Sequence, residues 1–341
     1  MKDRDTLIRQ FIDRTDWAGA RTAPLAGDAS NRRYLRLTDP STGATAVLMD
    51  APADRGEDIR PFVHIANYLT SLNLSAPRVL AQDADAGLLL LEDLGDDLFA
   101  NVIPRDPALE NSLYSTATDL LADLHTAQPP AGLETYTPAV MADMAALAFD
   151  WYRAALRGPD TKARTAFRTA MHTALAAHAT QADVLIQRDY HAQNLLWLPD
   201  RAGIARVGLL DFQDAMLGHR AYDLVSLLQD ARRDVPAQIE TTMLDRYIQT
   251  TGQDPAAFRT AYNVLGAQRN LRIVGVFARL CIRDGKAHYV DLIPRVWDYL
   301  MRDLTDPALA DVARLVRDHL PPPTPETLAK VKDQCATSPA R

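Results

Sequence analysis

Leu185-Ile186-Gln187-Arg188-Asp189-Tyr190-His191-Ala192-Gln193-Asn194-Leu195-Leu196-Trp197 is followed, after a short turn, by Val207-Gly208-Leu209-Leu210-Asp211-Phe212-Gln213-Asp214. In each half an acidic residue stands just past a short apolar run. That pattern predicts a brief buried strand whose end releases a carboxylate toward solvent or a cleft. Trp197-Leu198-Pro199-Asp200-Arg201-Ala202-Gly203 between them reads as a hairpin-like turn.

The order Asp189, Asn194, Asp211 suits phosphoryl transfer. This chemistry asks little covalent help of a protein; it gains most from aligning an acceptor hydroxyl with a γ-phosphate and from neutralising phosphate charge. Mg²⁺ prefers hard oxygen ligands, and one carboxylate with one amide oxygen leaves coordination positions for phosphates and water. Asp189 is accordingly the expected hydroxyl-orienting base, and Asn194 and Asp211 the expected metal ligands. Two turn aspartates and a loop asparagine would explain either half alone, but not both halves in this order.

Gln187-Arg188-Asp189-Tyr190-His191-Ala192-Gln193-Asn194 and Leu210-Asp211-Phe212-Gln213-Asp214 resemble the aminoglycoside phosphotransferase and choline kinase superfamily. Leu25 to Tyr34, Val47 to Pro52 and Tyr222 to Asp230 extend the resemblance to a bacterial branch acting on the anomeric hydroxyls of N-acetylmuramate and N-acetylglucosamine in cell-wall recycling. The resemblance spans about residues 5 to 320. It implies an α+β, two-lobed, protein-kinase-like fold with a small antiparallel-sheet N-lobe and a larger, mainly helical C-lobe. It also implies ATP and Mg²⁺ as cofactors and a small-molecule sugar as acceptor. The expected lobes are residues 1–95 and 96–320, with 321–341 a loosely attached tail after Pro321-Pro322-Pro323.

Composition agrees with a globular chain. At 341 residues it is long enough for two cores, with 47% apolar and 24% charged residues. A net charge of −7 argues against nucleic acid as a partner, because tracking phosphates needs an excess of Lys and Arg. Cys281 and Cys335 lie far apart in sequence and suggest neither a zinc site nor a disulfide framework. The N-terminus lacks the apolar core of a signal peptide, and no apolar run reaches the roughly 18 residues of a membrane span. A cytoplasmic monomer without membrane contact is expected.

Along the N-terminal half, residues 4–17 show helical spacing of Leu7, Ile8, Phe11 and Ile12. Leu25 to Asn31 is a small-residue loop between two strands; Gly27, Ala29, Ser30 and Asn31 are its candidate phosphate-facing residues, because little side chain hinders approach of backbone amides. Related kinases end the next strand in a phosphate-binding lysine, but Met49 stands there and no lysine occurs nearby. Arg32 and Arg36, or alternatively Arg33 on the opposite strand face, are the candidate replacements. A helix is expected over 57–72. Glu57 at its start suits the helix dipole, whereas the superfamily uses this helix to support the phosphate cation. The apolar strand Gly87 to Leu91 leads into Glu92, Asp93 and Leu94, where the resemblance places backbone contacts to adenine; Glu92 and Leu94 are the residues named.

The C-terminal half reads as helices over 108–127, 137–157, 160–180, 219–230, 236–250, 255–283, 285–303 and 306–319. His125 is expected to hold the catalytic loop. Asp223 is read either as a helix cap or, by resemblance, as a buried carboxylate bonded to that loop. His191, Gln193, Gln213, Asp214 and Asp230, with Arg232, are candidates for the acceptor pocket, where sugar hydroxyls and an acetamido group need directional partners. Rival expectations keep the fold and change the acceptor to an aminoglycoside or another small hydroxyl compound, or make the chain a nucleotide-binding pseudokinase, for which Met49 is the main support.

Overall fold

The computed structural model describes residues 4–25 and 32–338. Five strands come first: β1 (Arg21–Leu25), β2 (Arg33–Thr38), β3 (Thr45–Asp50), β4 (Val79–Asp83) and β5 (Leu88–Glu92). Four short ones follow: β6 (Val184–Ile186), β7 (Leu195–Trp197), β8 (Val207–Leu209) and β9 (Met216–Gly218). The helices are α1 (Arg4–Ile12), α2 (Arg60–Ser71), α3 (Phe99–Arg105), α4 (Glu110–Leu124), α5 (Pro138–Ala145), α6 (Ala154–Arg157) and α7 (Thr161–His178). The series continues with α8 (Tyr222–Leu228), α9 (Ala237–Thr251), α10 (Pro255–Ile282), α11 (Ile293–Asp303), α12 (Ala310–His319) and α13 (Pro325–Lys332). The chain forms two compact units, Met1–Leu120 with Ala192–Ala215, and Leu121–His191 with Met216–Arg341. The division expected at residue 95 is therefore displaced. The first unit runs on through α3 and most of α4 and takes back the β7–β8 hairpin, which bonds to it: Trp197 N–H donates to Asp97 O (2.7 Å) and Leu209 N–H to Ser75 O (2.9 Å).

In the first unit the large sheet is antiparallel, in the order β1-β2-β3-β5-β4. Period-two alternation sorts its side chains. Leu35, Leu37, Ala46, Leu48, Leu88 and Leu90 pack with Ile8, Phe11 and Ile12 of α1. Arg33 shares that face and pairs with Asp50 (3.1 Å) and Asp5 (2.9 Å). The opposite face carries Tyr34 directly across from Met49, and Arg36 across from Val47. Met49 is buried there. One stripe of α2, comprising Phe62, Ile65, Ala66 and Leu69, is buried, and Phe62 meets Phe212 at 4.9 Å between ring centroids. That contact anchors the residue next to Asp211.

The second unit is built around α10, a 28-residue helix buried on nearly every side and packed by α5, α7, α8 and α11. The helix expected over 137–157 breaks into α5, a π-turn at Ala148–Arg153, and α6. The widened turn begins where Gly275 of α10 meets the backbone: a Cβ there would fall 2.3 Å from the Leu147 carbonyl carbon. At the far end of α8, Gln229 donates to Asp303 (2.9 Å) and Asn270 donates to Gln229 (2.8 Å). This buried network fixes the turn that carries Asp230 and Arg232.

The tail is not loosely attached. α13 buries Val331, Gln334 Nε2 donates to Ala155 O (2.7 Å), and Lys332 pairs with Asp291. Cys335, remote from Cys281 in sequence, donates its thiol to the Cys281 carbonyl (3.1 Å), and both cysteines are free. Among the described residues no helix is long and apolar enough to cross a membrane.

Candidate active site

In the first unit, β7 and β8 pair Leu195 with Leu209, and Leu210 N–H donates to Asn194 O (3.0 Å), so the ladder ends with Asn194 and Asp211 side by side. Asn194 Nδ2 lies 3.4 Å from Asp211 Oδ2, and Gln213 Nε2 donates to Asp211 Oδ1 (2.7 Å). Gln213 thus orients the carboxylate. Asp211 is exposed and has φ +57°, a left-handed conformation that turns its side chain off the strand line. Gly208 is required in this hairpin, since a Cβ would lie 2.9 Å from the Leu196 Cβ and 3.4 Å from a Leu94 methyl carbon. An amide oxygen and a carboxylate at one hairpin end are a hard-oxygen pair, and they fit Mg²⁺. Among the described residues there is no group of three or more His, Cys, Asp and Glu that would offer a rival metal site.

The same unit distributes its arginines unequally. Arg36, one of the two expected phosphate cations on its face, is instead held by Asp93 (2.6 Å) and Asp96 (2.7 Å), and Arg33 is neutralised on the α1 face. Arg32 pairs with Glu57 (2.8 Å), and both side chains are largely buried. Burial opposes the Arg32 charge, but the hydrogen bond to Glu57 and the nearby Tyr34 raise its pKa overall. Tyr34 is itself pushed up, first by burial and also by the negative charges of Asp211 and Glu57, against the pull of Arg32. Glu57 precedes α2 rather than capping it, so its partner is a cation and not the helix dipole. Sequence spacing could not show this pair, because its members come from different elements 25 residues apart.

Glu92 has little left for a ligand. Its N–H donates to Arg78 O (2.9 Å), and its carboxylate accepts from Arg78 (3.0 Å) and Arg201 (2.9 Å). Leu94 packs over Gly208. Gln193 and Asp214 are exposed in this unit. Gly27, Ala29, Ser30 and Asn31 lie outside the described residues.

In the second unit β6 pairs with β9 and delivers Gln187 and Arg188 to Asp223, whose carboxylate accepts from the Gln187 amide (2.6 Å) and the Arg188 amide (2.9 Å). Asp223 is wholly buried, and burial pushes its carboxyl up to about 7. It bonds the loop rather than capping α8. Arg188 then takes φ +73°, turning the chain so that Asp189 follows in the next position.

One Asp189 oxygen is 3.7 Å from Arg269 Nη2, which also donates to Ser226 Oγ (2.7 Å). Burial would raise the Asp189 pKa, but Arg272, Arg269, His191 and Arg188 bring it below the ordinary value, so it is ionised at neutral pH. His191 is buried, with Nε2 3.1 Å from Arg232 Nη1; burial first, and Arg232 with Arg269, lower its pKa to about 4. Asp230 is buried and accepts from the Arg232 amide (2.8 Å). His125, also buried, hydrogen-bonds through Nδ1 to the Tyr247 hydroxyl (2.6 Å), a structural anchor.

The first unit therefore joins Asn194, Asp211 and Gln213, with Arg32, Tyr34 and Glu57 on the sheet face that carries Met49. The second joins Asp189, His191, Asp230 and Arg232. A family model described as "Phosphotransferase enzyme family" matches residues 21–260. A protein from Caulobacter vibrioides named N-acetylmuramate/N-acetylglucosamine kinase is 39% identical, over 91% of this chain and 95% of its own length. One of the same name from Pseudomonas aeruginosa is 34% identical, over 87% and 88%. Among solved structures, a microcompartment-associated aminopropanol kinase superposes with a TM-score of 0.62 at 16% identity, covering 91% of this chain and 99% of that one, which shows a shared fold. With the fold, the hairpin-end Asn194–Asp211 pair and these matches in agreement, the chain belongs to the phosphotransferase enzyme family.

Proposed function

We propose that the chain transfers the γ-phosphoryl group of ATP to the anomeric hydroxyl of N-acetylmuramate and N-acetylglucosamine, giving the sugar 1-phosphates and ADP in a cytoplasmic step of peptidoglycan recycling. It would work as a monomer. The observation that carries the substrate is the 39% identity to a relative of that name over nearly the whole of both chains. The chemistry follows from the residues. Asp189, ionised and flanked by arginines, accepts a hydrogen bond from the acceptor hydroxyl and points its oxygen at the γ-phosphorus. As the new O–P bond forms and the bond from the γ-phosphorus to the β-bridging oxygen breaks, the hydroxyl proton passes to Asp189.

A carboxylate of lowered pKa is a weak base. It takes the proton late, which suits a loose transition state in which the leaving group departs early. Asn194 and Asp211 would hold Mg²⁺, with Gln213 fixing the Asp211 carboxylate. When bound, the metal neutralises phosphate charge. Arg32, braced by Glu57, would supply the cation that Met49 cannot, and adenine would meet the backbone just after Glu92, whose amide is already committed to Arg78.

Purified chain with Mg·ATP and a panel of N-acetylated sugars, aminoglycosides and small amino alcohols tests the reading. The two amino sugars should be consumed with loss of their reducing ends, since phosphate then blocks the anomeric carbon, and Asp189→Asn should lower turnover by about two orders of magnitude or more while the fold melts normally. Phosphate found on another hydroxyl, or transfer only to an aminoglycoside or an amino alcohol, would overturn the assignment.

A further inference from the structure

Beside Asp189 the second unit holds more hydrogen-bond donors than its own acceptors satisfy. Arg232 sits in the turn after α8, half-buried, and its only side-chain hydrogen bond among the described residues runs to His191 Nε2 (3.1 Å). Because a guanidinium can only donate, Nε2 is the acceptor and the proton of the neutral imidazole lies on Nδ1. That Nδ1 is buried with no protein partner. Nε and Nη1 of Arg269, next to Asp189, are in the same condition. Buried donors without acceptors are costly, so such a group is served by water or by a ligand.

The charges lean the same way. Asp189 is matched by Arg269 and Arg272, Arg188 stacks over the Tyr136 ring (5.4 Å to its centroid), and Asp230 accepts the amide of Arg232 rather than its guanidinium. Among the described residues no carboxylate lies within ion-pair distance of Arg232. Its positive charge remains available next to His191, two residues along from the base.

We infer that Arg232, with the imidazole of His191 holding its guanidinium in place, binds a carboxylate on the acceptor, so that the acceptor pocket is built to prefer a sugar acid over a neutral sugar or a polycation. This rests on the proposed reaction at Asp189 and deepens it. Of the two sugars named above, N-acetylmuramate carries a carboxylate, on its lactyl ether, and N-acetylglucosamine carries none. A planar guanidinium can meet both oxygens of that carboxylate at once. His191 here is a positioning residue.

The test compares N-acetylmuramate with its methyl ester, which keeps every other contact and removes the charge. The parent should favour the free acid in kcat/KM, and Arg232→Gln should reduce that preference roughly 10- to 100-fold, mainly through the KM of the acid, with the KM for ATP within a few-fold of the parent. Arg232→Lys should restore part of the preference, because a point charge remains; it also serves if the glutamine variant is unstable. A parent that treats acid and ester alike overturns the inference, and so does an Arg232→Gln variant whose acid-to-ester ratio is unchanged. A rise in the ATP KM that is equal with both acceptors would assign Arg232 to the nucleotide phosphates instead. If neither amino sugar is phosphorylated by the parent, the reaction reading fails, which is a separate result from a flat acid-to-ester ratio in an active enzyme.

Discussion

Replacing Asp223 by Ala removes the acceptor for two backbone amides at once. Gln187 N–H and Arg188 N–H, now bonded at 2.6 and 2.9 Å, are left in a pocket that the shorter side chain cannot fill with solvent. An orphaned buried donor costs about 1–3 kcal/mol, so the pair costs about 2–6 kcal/mol. That is a large part of the roughly 5–15 kcal/mol available to a folded domain. Asp223→Asn should cost about half as much, because the amide oxygen serves one N–H while its NH₂ meets the other, donor against donor. Urea unfolding followed by circular dichroism measures the loss. Hydrogen exchange at Gln187 and Arg188 localises it, and turnover should fall with it, since Asp189 is the next residue. An Ala variant that unfolds within about 1 kcal/mol of the parent and keeps both amides slow to exchange would refute the reasoning.

Asp211→Ala should weaken Mg²⁺-dependent ATP binding, measured by calorimetry with and without the metal; normal Mg·ATP affinity would dismiss Asp211 as a ligand. Arg32→Met should lower ATP affinity and turnover together while Arg36→Met changes neither by more than a few-fold, because only Arg32 has a partner poised as in a kinase ion pair. The buried histidines make stability sensitive to acid. Burial lowers the pKa of His125 to about 3 and of His191 and His219 to about 4, so each is neutral in the fold and takes up protons on unfolding below about 6.5. Their contribution is complete above that pH and is lost as pH falls toward 4, by up to about 3 kcal/mol for each of His191 and His219. Buried Asp223, raised to about 7, and Asp303 act in the opposite sense over the same range, so the check is a difference between proteins: from pH 7.5 to 4.5, His219→Asn should lose less melting temperature, or gain more, than the parent.

The strands other than β4 and β9 are legible because each alternates or runs apolar up to a polar end, and the local spacing of Asp189, Asn194 and Asp211 carries the proposed chemistry. Distant partners were not. Arg36 looks like a phosphate cation until Asp93 and Asp96 come within reach from some 60 residues away. Arg32 looks like any strand arginine until Glu57 arrives, and nothing in Thr137 to Arg157 announces that Gly275 will press on its backbone. The unit boundary between His191 and Ala192 falls inside one continuous motif, since it depends on which elements each side bonds to rather than on composition. Spacing offers Gln213 to the sugar but cannot show that its amide also meets Asp211.

Arg188 and Asp211 both hold left-handed backbone, at φ +73° and +57°, and neither is a glycine. Such a conformation costs a non-glycine residue on the order of 1 kcal/mol, less for Asp than for Arg. Substitution by glycine, or by asparagine at 211, relieves that strain, while glycine gives up the stacking of Arg188 on Tyr136 or the bond from Gln213 to Asp211. A screen for heat resistance alone would therefore be drawn to the two positions that deliver the proposed base and the proposed metal carboxylate. Enriched variants there would outlast the parent and turn over less, so selection in the laboratory has to be tied to phosphate transfer from its first round.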